Sequence, residues 1–321
     1  MKPRSNRFIV LGRAGLDLYP DPPGTKIEDA VTFTAALGGS SGNIAAGLAR
    51  MGSSVSLLTR VSRDAVGRYT LAECARYGID TDYCVFEDSE ARNTLALSET
   101  RTDDTQTVIY RNNAADFALT EDDVAKVDWT GIGGLIFTGT SLAMEPSRSA
   151  TLAAIEAARE AGATVLFDVD YRAYSWASLE EAAAICGEAA RACDIIVGND
   201  DEFGVLAGDY DRGEAYASKL AQAQTKTAIY KMGAKGAKTF TVGETIETGI
   251  FPVTPIKPTG AGDAFMAGLA SGLAQSLPLS DAVLRGSAAA AIVVTRVGCA
   301  PAMPSQAEIA DMMAQTSLTN A

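Results

Sequence analysis

Histidine is absent from this chain of 321 residues, which excludes catalytic triads built on imidazole, histidine metal sites and imidazole acid–base chemistry. Any chemistry therefore falls to carboxylates, lysine, serine, cysteine and backbone dipoles. Cysteine is scarce as well. No CxxC spacing occurs, so neither a disulfide framework nor a zinc site is indicated by Cys74, Cys84, Cys186, Cys193 and Cys299.

Basic residues, aromatic residues and long apolar runs are also few. Lys and Arg number 27 against 40 Asp and Glu, and aromatics make up 7%, which excludes the electrostatic footprint of a nucleic-acid binder. The start of the chain has only a short apolar run, FIVLG, and the nearly uncharged stretch 264–280 is broken by Gly, Ser, Gln and Pro. We therefore expect no signal peptide, no membrane partner and a cytoplasmic protein.

What the chain does contain is a repeated alternation of β-rich runs and longer helical segments. This order predicts βαβ crossovers, hence an α/β fold whose central, mostly parallel sheet has helices on both faces. With 47% hydrophobic residues the chain has enough apolar material for one large core, and we expect a single domain, 1–321. Two late Ala-rich helices are predicted at 261–275 and 280–296.

Two segments depart from this alternation. Residues 14–37 and 91–111 show Thr-rich alternation typical of antiparallel strands. They predict a small antiparallel β lobe beside the main sheet, with a ligand cleft between the two.

The most informative motif is PTGAGD, residues 258–263, at the start of an Ala-rich helix. Its small residues allow close approach of a ligand, and the amides of Gly260, Ala261 and Gly262 would lie at the positive end of the helix dipole. Asp263 is placed to take a proton from an alcohol that attacks phosphorus. The pattern also fits a Gly turn whose Asp neutralises the helix dipole.

Two earlier motifs are candidates for binding a polyol. Gly38 and Gly39 precede Asn43, whose amide can donate to and accept from hydroxyls, and Asp17 follows the first strand, where a carboxylate can hold two hydroxyls. A Gly-rich capping loop and a turn-stabilising Asp explain the same residues. The absent GK[ST] excludes a Walker A loop.

Arginine follows two predicted strands. Arg111 ends a strand of the small lobe, and Arg172 comes shortly after the buried strand that leads into Asp168 and Asp170. Residues past the carboxyl ends of parallel strands face the ligand crevice. Guanidinium groups there suit a carboxylate or a phosphate, and surface salt bridges are the alternative.

Two further strand ends carry candidates for the nucleotide side. Asn199 and Glu202 are spaced to hold Mg²⁺ through its water shell, or equally to form a capping box. Lys231 with Gly233 and Gly236 fits contacts to nucleotide phosphates, or simply a hairpin.

Taken together, the Gly-Gly-xxx-Asn pattern at 38–43 and Gly-Ala-Gly-Asp at 260–263 resemble the ribokinase-like (PfkB) carbohydrate kinases over essentially the whole chain. Within that family three segments, YRNNAADFAL (110–119), FDVDYRAYSW (167–176) and GCAPAMPS (298–305), are similar to the 5-dehydro-2-deoxygluconokinases of inositol catabolism. The 2-keto-3-deoxygluconate kinases match less closely there.

The resemblance implies a ribokinase-like fold with a β lid that is often used for dimerisation. It also implies ATP- and Mg²⁺-dependent phosphorylation of a primary hydroxyl of a sugar acid. In the implied site the catalytic residues are Asp263 as base with Gly260, Ala261 and Gly262 as anion hole. Substrate-binding residues are Asp17, Gly38, Gly39, Asn43, Arg111 and Arg172; nucleotide-binding residues are Asn199, Lys231, Gly233, Gly236, Gly260 and Gly262; Mg²⁺ falls to Asn199 and Glu202.

Several positions depart from the family pattern, and several functions stay open. Lys257 stands where many members have Asp, so a monovalent cation such as K⁺ is an open question; Ser287 replaces an Asn and Ser62 a Gly. The alternatives are a 2-keto-3-deoxygluconate kinase, a neutral-sugar kinase of the fructokinase or ribokinase type, and a non-catalytic sugar- or nucleotide-binding regulator.

Overall fold

The computed structural model describes residues 2–224 and 226–315, in which the strands form two sheets. In chain order the strands are β1 (Arg7–Leu11), β2 (Gly15–Asp21), β3 (Thr32–Gly38), β4 (Ser54–Ser62), β5 (Cys84–Glu87), β6 (Leu95–Ser98), β7 (Thr107–Tyr110), β8 (Gly134–Thr138), β9 (Thr164–Asp168), β10 (Ile195–Asn199), β11 (Thr227–Lys231), β12 (Ala237–Thr241) and β13 (Glu244–Thr248).

The large sheet has nine strands in the order β13-β12-β11-β10-β9-β8-β1-β4-β5. From β11 to β5 in this order all neighbours pair in parallel, as the alternation predicts, and only the β11–β12 and β12–β13 pairs are antiparallel. Because the strands run the same way, β1, β8, β9, β10 and β11 bring their carboxyl ends to one edge of the sheet.

Helices cover both faces of the large sheet, which confirms the predicted fold class. Along β1, Phe8 and Val10 belong to one core cluster and Ile9 and Leu11 to the other, because successive side chains point to opposite faces. The helices are α1 (Ser40–Arg50), α2 (Ala65–Arg76), α3 (Glu121–Val124), α4 (Ser147–Glu160), α5 (Leu179–Ala192), α6 (Asp200–Ala207), α7 (Gly213–Gln224), α8 (Ala261–Ala274), α9 (Leu279–Val293) and α10 (Gln306–Gln315).

Each core cluster belongs to its own set of helices. Residues of α1, α8 and α9 pack in the first cluster, and residues of α4, α5, α6 and α7 pack in the second. The central strands therefore have no face in water, and this explains why runs such as FIVL and IIV are apolar without alternation.

The small sheet has the order β3-β2-β6-β7, from strands within 14–37 and 91–111. The β2–β3 and β6–β7 pairs are antiparallel, but the central β2–β6 pair is parallel. The reason is the connection: the chain between β2 and β6 passes through β3, α1, β4, α2 and β5, and such a long crossover can return in the same direction.

The late helices differ slightly from the predicted bounds. Helix α8 ends at Ala274, and α9 begins directly after Pro278 and ends at Val293, three residues earlier than expected from the pattern to 296. Across the part of the chain described here, none of the helices combines the length and the apolar character needed to span a bilayer.

Candidate active site

Three neighbouring strands end in polar side chains at the same edge of the sheet. Asp168, Asn199 and Lys231 are the last residues of β9, β10 and β11, and the register pairs Asp168 with Val197 and Asn199 with Lys231. The amino end of α8 meets this edge, because a Cβ built on Gly262 would lie 3.6 Å from the Lys231 Nζ. The sheet edge and the helix terminus thus form one site.

The first turn of α8 offers backbone amides to an anion. Gly260, the N-cap, has φ 84°, a left-handed conformation that glycine adopts without strain, and a Cβ there would approach the Cys299 Sγ to 3.0 Å. Among the described residues no side chain caps this helix. Its first N–H groups therefore point at a ligand position, with the positive dipole end behind them.

Asp263 lies in this first turn, beside Asn43 of α1. The Asn43 Nδ2 donates a 2.8 Å hydrogen bond to the Asp263 Oδ2, joining residues 220 positions apart. Burial, reinforced by the Asp170 charge, raises the pKa of Asp263 from 3.8 to about 7, against the lowering effects of Asn43, Arg172 and Arg13. A carboxyl with this pKa is suited to general-base work near neutral pH.

Asp17 is held rigidly at the end of the small sheet. The Tyr19 hydroxyl donates to its Oδ2 at 2.8 Å and in turn accepts from the Cys299 backbone N–H at 3.1 Å. A Cβ on Gly38 would lie 1.9 Å from the Asp17 Oδ1, so only glycine fits opposite this carboxylate. Burial raises the pKa of Asp17, while the Tyr19 hydrogen bond and the Arg13 charge lower it.

Lys231 ends β11, the outermost of the parallel strands on this side of the sheet, and lies close to several carboxyl groups. Burial alone would lower the pKa of its ammonium, but the charges of Asp168, Glu202, Asp170 and Asp263 outweigh it and raise that pKa. Burial raises the pKa of Asp168 to about 8, despite the nearby Lys231. The lysine therefore stays charged where it faces the first turn of α8.

The two predicted arginines are both paired. The Arg172 Nη2 lies 2.6 Å from the Asp170 Oδ1, and this partner raises the pKa of Arg172. Arg111 is buried: its Nη2 binds the Asp116 carboxylate and donates to the Thr140 carbonyl at 3.1 Å. Its Nε and Nη1 have no hydrogen-bond partner within the described chain.

Arg172 and Arg111 differ in their relation to Asp263. Arg172 acts on the pKa of Asp263, so the structure brings it to the proposed base. The described contacts of Arg111 lie with the Asp116 carboxylate, the Thr140 carbonyl and the Phe117 ring, whose centroid is 4.0 Å from its Cζ. No such contact joins Arg111 to Asp263 in the described residues.

Asn199 and Glu202 form the capping box of α6. The Glu202 N–H donates to the Asn199 Oδ1 at 2.8 Å, and the Asn199 N–H donates to the Glu202 Oε2 at 2.7 Å. Glu202 also acts on the pKa of Lys231, so it lies in the site. Within residues 2–224 and 226–315, no three acidic or cysteine side chains lie close enough together to enclose a metal ion.

The glycines after Lys231 form a tight turn between β11 and β12. Gly233 has open space around its Cα, whereas a Cβ on Gly236 would lie 2.0 Å from the Thr248 carbonyl oxygen. Gly236 is thus required by packing against the end of β13, and Gly233 is the more accessible of the two.

Three charged residues of the site were not among the candidates chosen from the sequence. Arg13 comes directly after β1 and Gly12, and Asp168 ends β9; their position at strand ends is the signal that could have found them. Lys257 is fully buried, its Nζ donates to the Thr259 carbonyl, and burial lowers its pKa. Lys257 thus places a cation behind the α8 loop.

A carboxyl of raised pKa beside an amide-lined helix terminus, on a doubly wound sheet, defines a site for phosphoryl transfer to a hydroxyl. Residues 5–306 match the family model described as pfkB family carbohydrate kinase. A protein of Photobacterium profundum named 5-dehydro-2-deoxygluconokinase is 38% identical over 310 residues, 95% of this chain and 94% of the relative. A protein of the same name from Geobacillus kaustophilus is 36% identical, covering 96% and 93%.

Solved structures agree with the family. Fructokinase from Vibrio cholerae O395, a double mutant crystallised with fructose, ADP and potassium ion, superposes with a TM-score of 0.84 at 25% identity, covering 97% of this chain and 99% of that one. Aminoimidazole riboside kinase from Salmonella enterica shares the fold, with a TM-score of 0.81 at 24% identity over 96% and 100% of the two chains. The chain belongs to the pfkB family of carbohydrate kinases, and it is an ATP-dependent kinase.

Proposed function

We propose that this kinase transfers the γ-phosphoryl group of ATP to the terminal primary hydroxyl of 5-dehydro-2-deoxygluconate. The observation that carries the proposal is the Asp263 carboxyl, with its pKa raised to about 7, at the amide-lined terminus of α8. The substrate is taken from the names of relatives that are 34–38% identical over nearly the whole chain.

In the proposed reaction Asp263 accepts the proton of the primary hydroxyl as its oxygen attacks the γ-phosphorus. The bond between that phosphorus and the β,γ-bridging oxygen breaks, and ADP leaves. The N–H groups of Gly260, Ala261 and Gly262 and the Lys231 ammonium offset the negative charge on the transferred group. Positioning and fixed dipoles therefore supply most of the rate enhancement.

The sugar acid would lie on the Asp17 side of Asp263. Asp17 and the Asn43 Oδ1 would accept hydrogen bonds from hydroxyls; this Oδ1 is buried and lacks a partner within the described residues. Gly38 and Gly39 would let the substrate approach the protein backbone closely. Arg172, and Arg111 through its Nε and Nη1, are the proposed partners of the carboxylate.

The nucleotide would lie on the opposite side, against Asn199, Lys231, Gly233 and Gly236. Mg²⁺ fits beside Glu202 and Asn199 only through water, because the capping box occupies the Asn199 Oδ1 and the Glu202 Oε2 and leaves one carboxylate oxygen. Bound there, Mg²⁺ would neutralise phosphate charge. Lys257 already supplies a buried cation behind the loop, so we propose no K⁺ site.

We further propose that the small sheet is a lid and the surface of a homodimer. Two apolar side chains of β7 are open to water, Val108 at 41% and Tyr110 at 58%, and Val31, directly before β3, is 94% exposed. Exposed apolar groups of this kind favour an interaction surface.

A coupled ADP-release assay with a panel of substrates tests the function. We expect turnover of 5-dehydro-2-deoxygluconate above that of 2-keto-3-deoxygluconate, fructose and ribose. Asp263→Asn should lower kcat by ~10² to 10⁴, since it removes the base. A higher kcat/KM on a neutral sugar would show that the sugar acid is not the preferred substrate. Near-wild-type turnover of Asp263→Asn would show that Asp263 is not the base.

A further inference from the structure

Arg13 stands at the edge where the sugar side of the site begins. It follows β1 and Gly12, and its main chain is fixed, since its carbonyl accepts from the Gly42 N–H at 3.2 Å. A Cβ on Gly39 would lie 2.5 Å from that same carbonyl oxygen. The segment that carries Arg13 is therefore packed directly under the glycine pair.

The charge of Arg13 acts on two carboxyl groups on the acceptor side of the site. Its charge lowers the pKa of both Asp17 and Asp263, and for Asp17 it follows the Tyr19 hydrogen bond in size. For Asp263 its effect follows those of Asn43 and Arg172. Arg13 is thus near enough to influence both Asp17 and the proposed base.

Arg13 is buried without a partner of its own. Only 6% of the residue is exposed, its Nε makes no hydrogen bond, and within the described residues no carboxylate comes into ion-pair range. Arg111 and Arg172, by contrast, are each bound to an aspartate. Burying a guanidinium without a partner is costly, so this group calls for an explanation, and binding of an anionic ligand would supply the missing partner.

We propose that Arg13 is a further partner of the sugar-acid carboxylate beside Arg172 and Arg111, and that it is the main determinant of acid over neutral substrates because those two arginines are already paired with aspartates. This inference rests on the proposed function. The phosphate side is already supplied with Lys231 and the α8 amides, whereas the sugar side has Asp17 and Asp263, which repel an acid. A planar guanidinium can pair with a carboxylate through two parallel hydrogen bonds, which fixes its position and offsets that repulsion.

Steady-state kinetics of Arg13→Gln and Arg13→Lys test the proposal. With 5-dehydro-2-deoxygluconate, we expect Arg13→Gln to raise KM by about 10- to 100-fold and Arg13→Lys by less, with the KM of MgATP unchanged. With fructose as a neutral probe, KM should change by less than about threefold.

Thermal melting of the unliganded protein separates binding from folding. Because Arg13 has no ion-pair partner among the described residues, Arg13→Gln should leave the melting temperature unchanged or raise it. Arg111→Gln is the matched control: it is equally buried but would strand Asp116, so its melting temperature should fall. Should Arg13→Gln instead melt as low as this control, Arg13 has a structural role and the proposal is overturned.

The outcomes also distinguish this proposal from the function it rests on. If the wild-type enzyme prefers a neutral sugar, the proposed function fails. If it prefers the acid but Arg13→Gln raises the KM of acid and neutral probes equally, or lowers kcat alone, the function stands and the assignment of Arg13 to the carboxylate is wrong.

Discussion

At the scale of single residues, we expect the ionisation of the Asp263 carboxyl to affect both the rate and the stability of this protein. Asp263 must be deprotonated to accept a proton, and its pKa lies at about 7. We expect kcat/KM for the sugar acid to fall about tenfold per pH unit below pH 7 and to level off above it. A pH–rate profile of the wild-type enzyme measures this directly; a profile flat down to pH 5 contradicts the assignment.

The same raised pKa predicts a loss of stability with pH. The folded protein holds the Asp263 proton up to about pH 7, while the unfolded chain loses it near 3.8, so stability falls as pH rises through that window. Asp263→Asn cannot ionise and still accepts from Asn43. The variant should therefore gain on the order of 2 kcal/mol over the wild type at pH 8 and little at pH 4, measured by denaturant unfolding.

At the scale of elements, we expect the effect of a glycine-to-alanine substitution at the junction of β3 and α1 to depend on which glycine is replaced. In Gly38→Ala the new Cβ would meet the Asp17 carboxylate at 1.9 Å and displace it, so we expect the KM of the sugar acid to rise about 10- to 100-fold. Michaelis constants for the acid and for MgATP show whether the change is confined to the sugar side.

Gly42→Ala, in the first turn of the α1 helix that follows, is the control. Its Cβ would meet Ala14 and Leu37 at ordinary contact distances of 3.4 and 3.5 Å. We expect unchanged KM values and a gain of roughly 0.5–1 kcal/mol in stability from the better helix former. Equal effects of the two substitutions on KM would show that Asp17 does not depend on Gly38.

The start of α6 separates a capping role from a metal role. Glu202→Gln keeps an oxygen for the Asn199 N–H but loses the charge, so stability should hold while the Mg²⁺ concentration for half-maximal activity rises about tenfold. Glu202→Ala should lose about 1 kcal/mol as well. If neither variant changes the Mg²⁺ requirement and only Glu202→Ala loses stability, Glu202 caps the helix and has no role in metal binding.

Element types were predictable from the sequence because buried parallel strands and Ala-rich helices leave strong local patterns. The parallel β2–β6 pair was not, since its direction depends on a connection through five elements. In the site, Asp263 and Asn43 were predictable because each stands at a recognisable spacing from a glycine motif. Arg13 carries only its position directly after β1 and Gly12, and Lys257 carries no signal of this kind, because nothing local distinguishes a buried cation from a surface one; the burial of both arises from tertiary packing.

For the whole molecule, the exposed apolar side chains of the proposed lid predict association into a dimer. Tyr110→Asp places a charge on the open face of the small sheet, where Tyr110 is 58% exposed, so the proposed dimer should dissociate without loss of the fold. Sedimentation velocity of the wild type and of Tyr110→Asp at the same concentration measures the oligomeric state of each. Tyr210→Asp, at a similarly exposed tyrosine (53%) outside the lid, is the control and should keep the wild-type state; a monomeric wild type removes the proposal.

The hydrogen bond between Asn43 and Asp263 spans 220 positions of the chain. The residues proposed to bind the polyol, Asp17, Gly38, Gly39 and Asn43, all precede β13, whereas the proposed base and the amides of α8 follow it. We therefore expect translation products that end at β13 to be unable to phosphorylate a sugar.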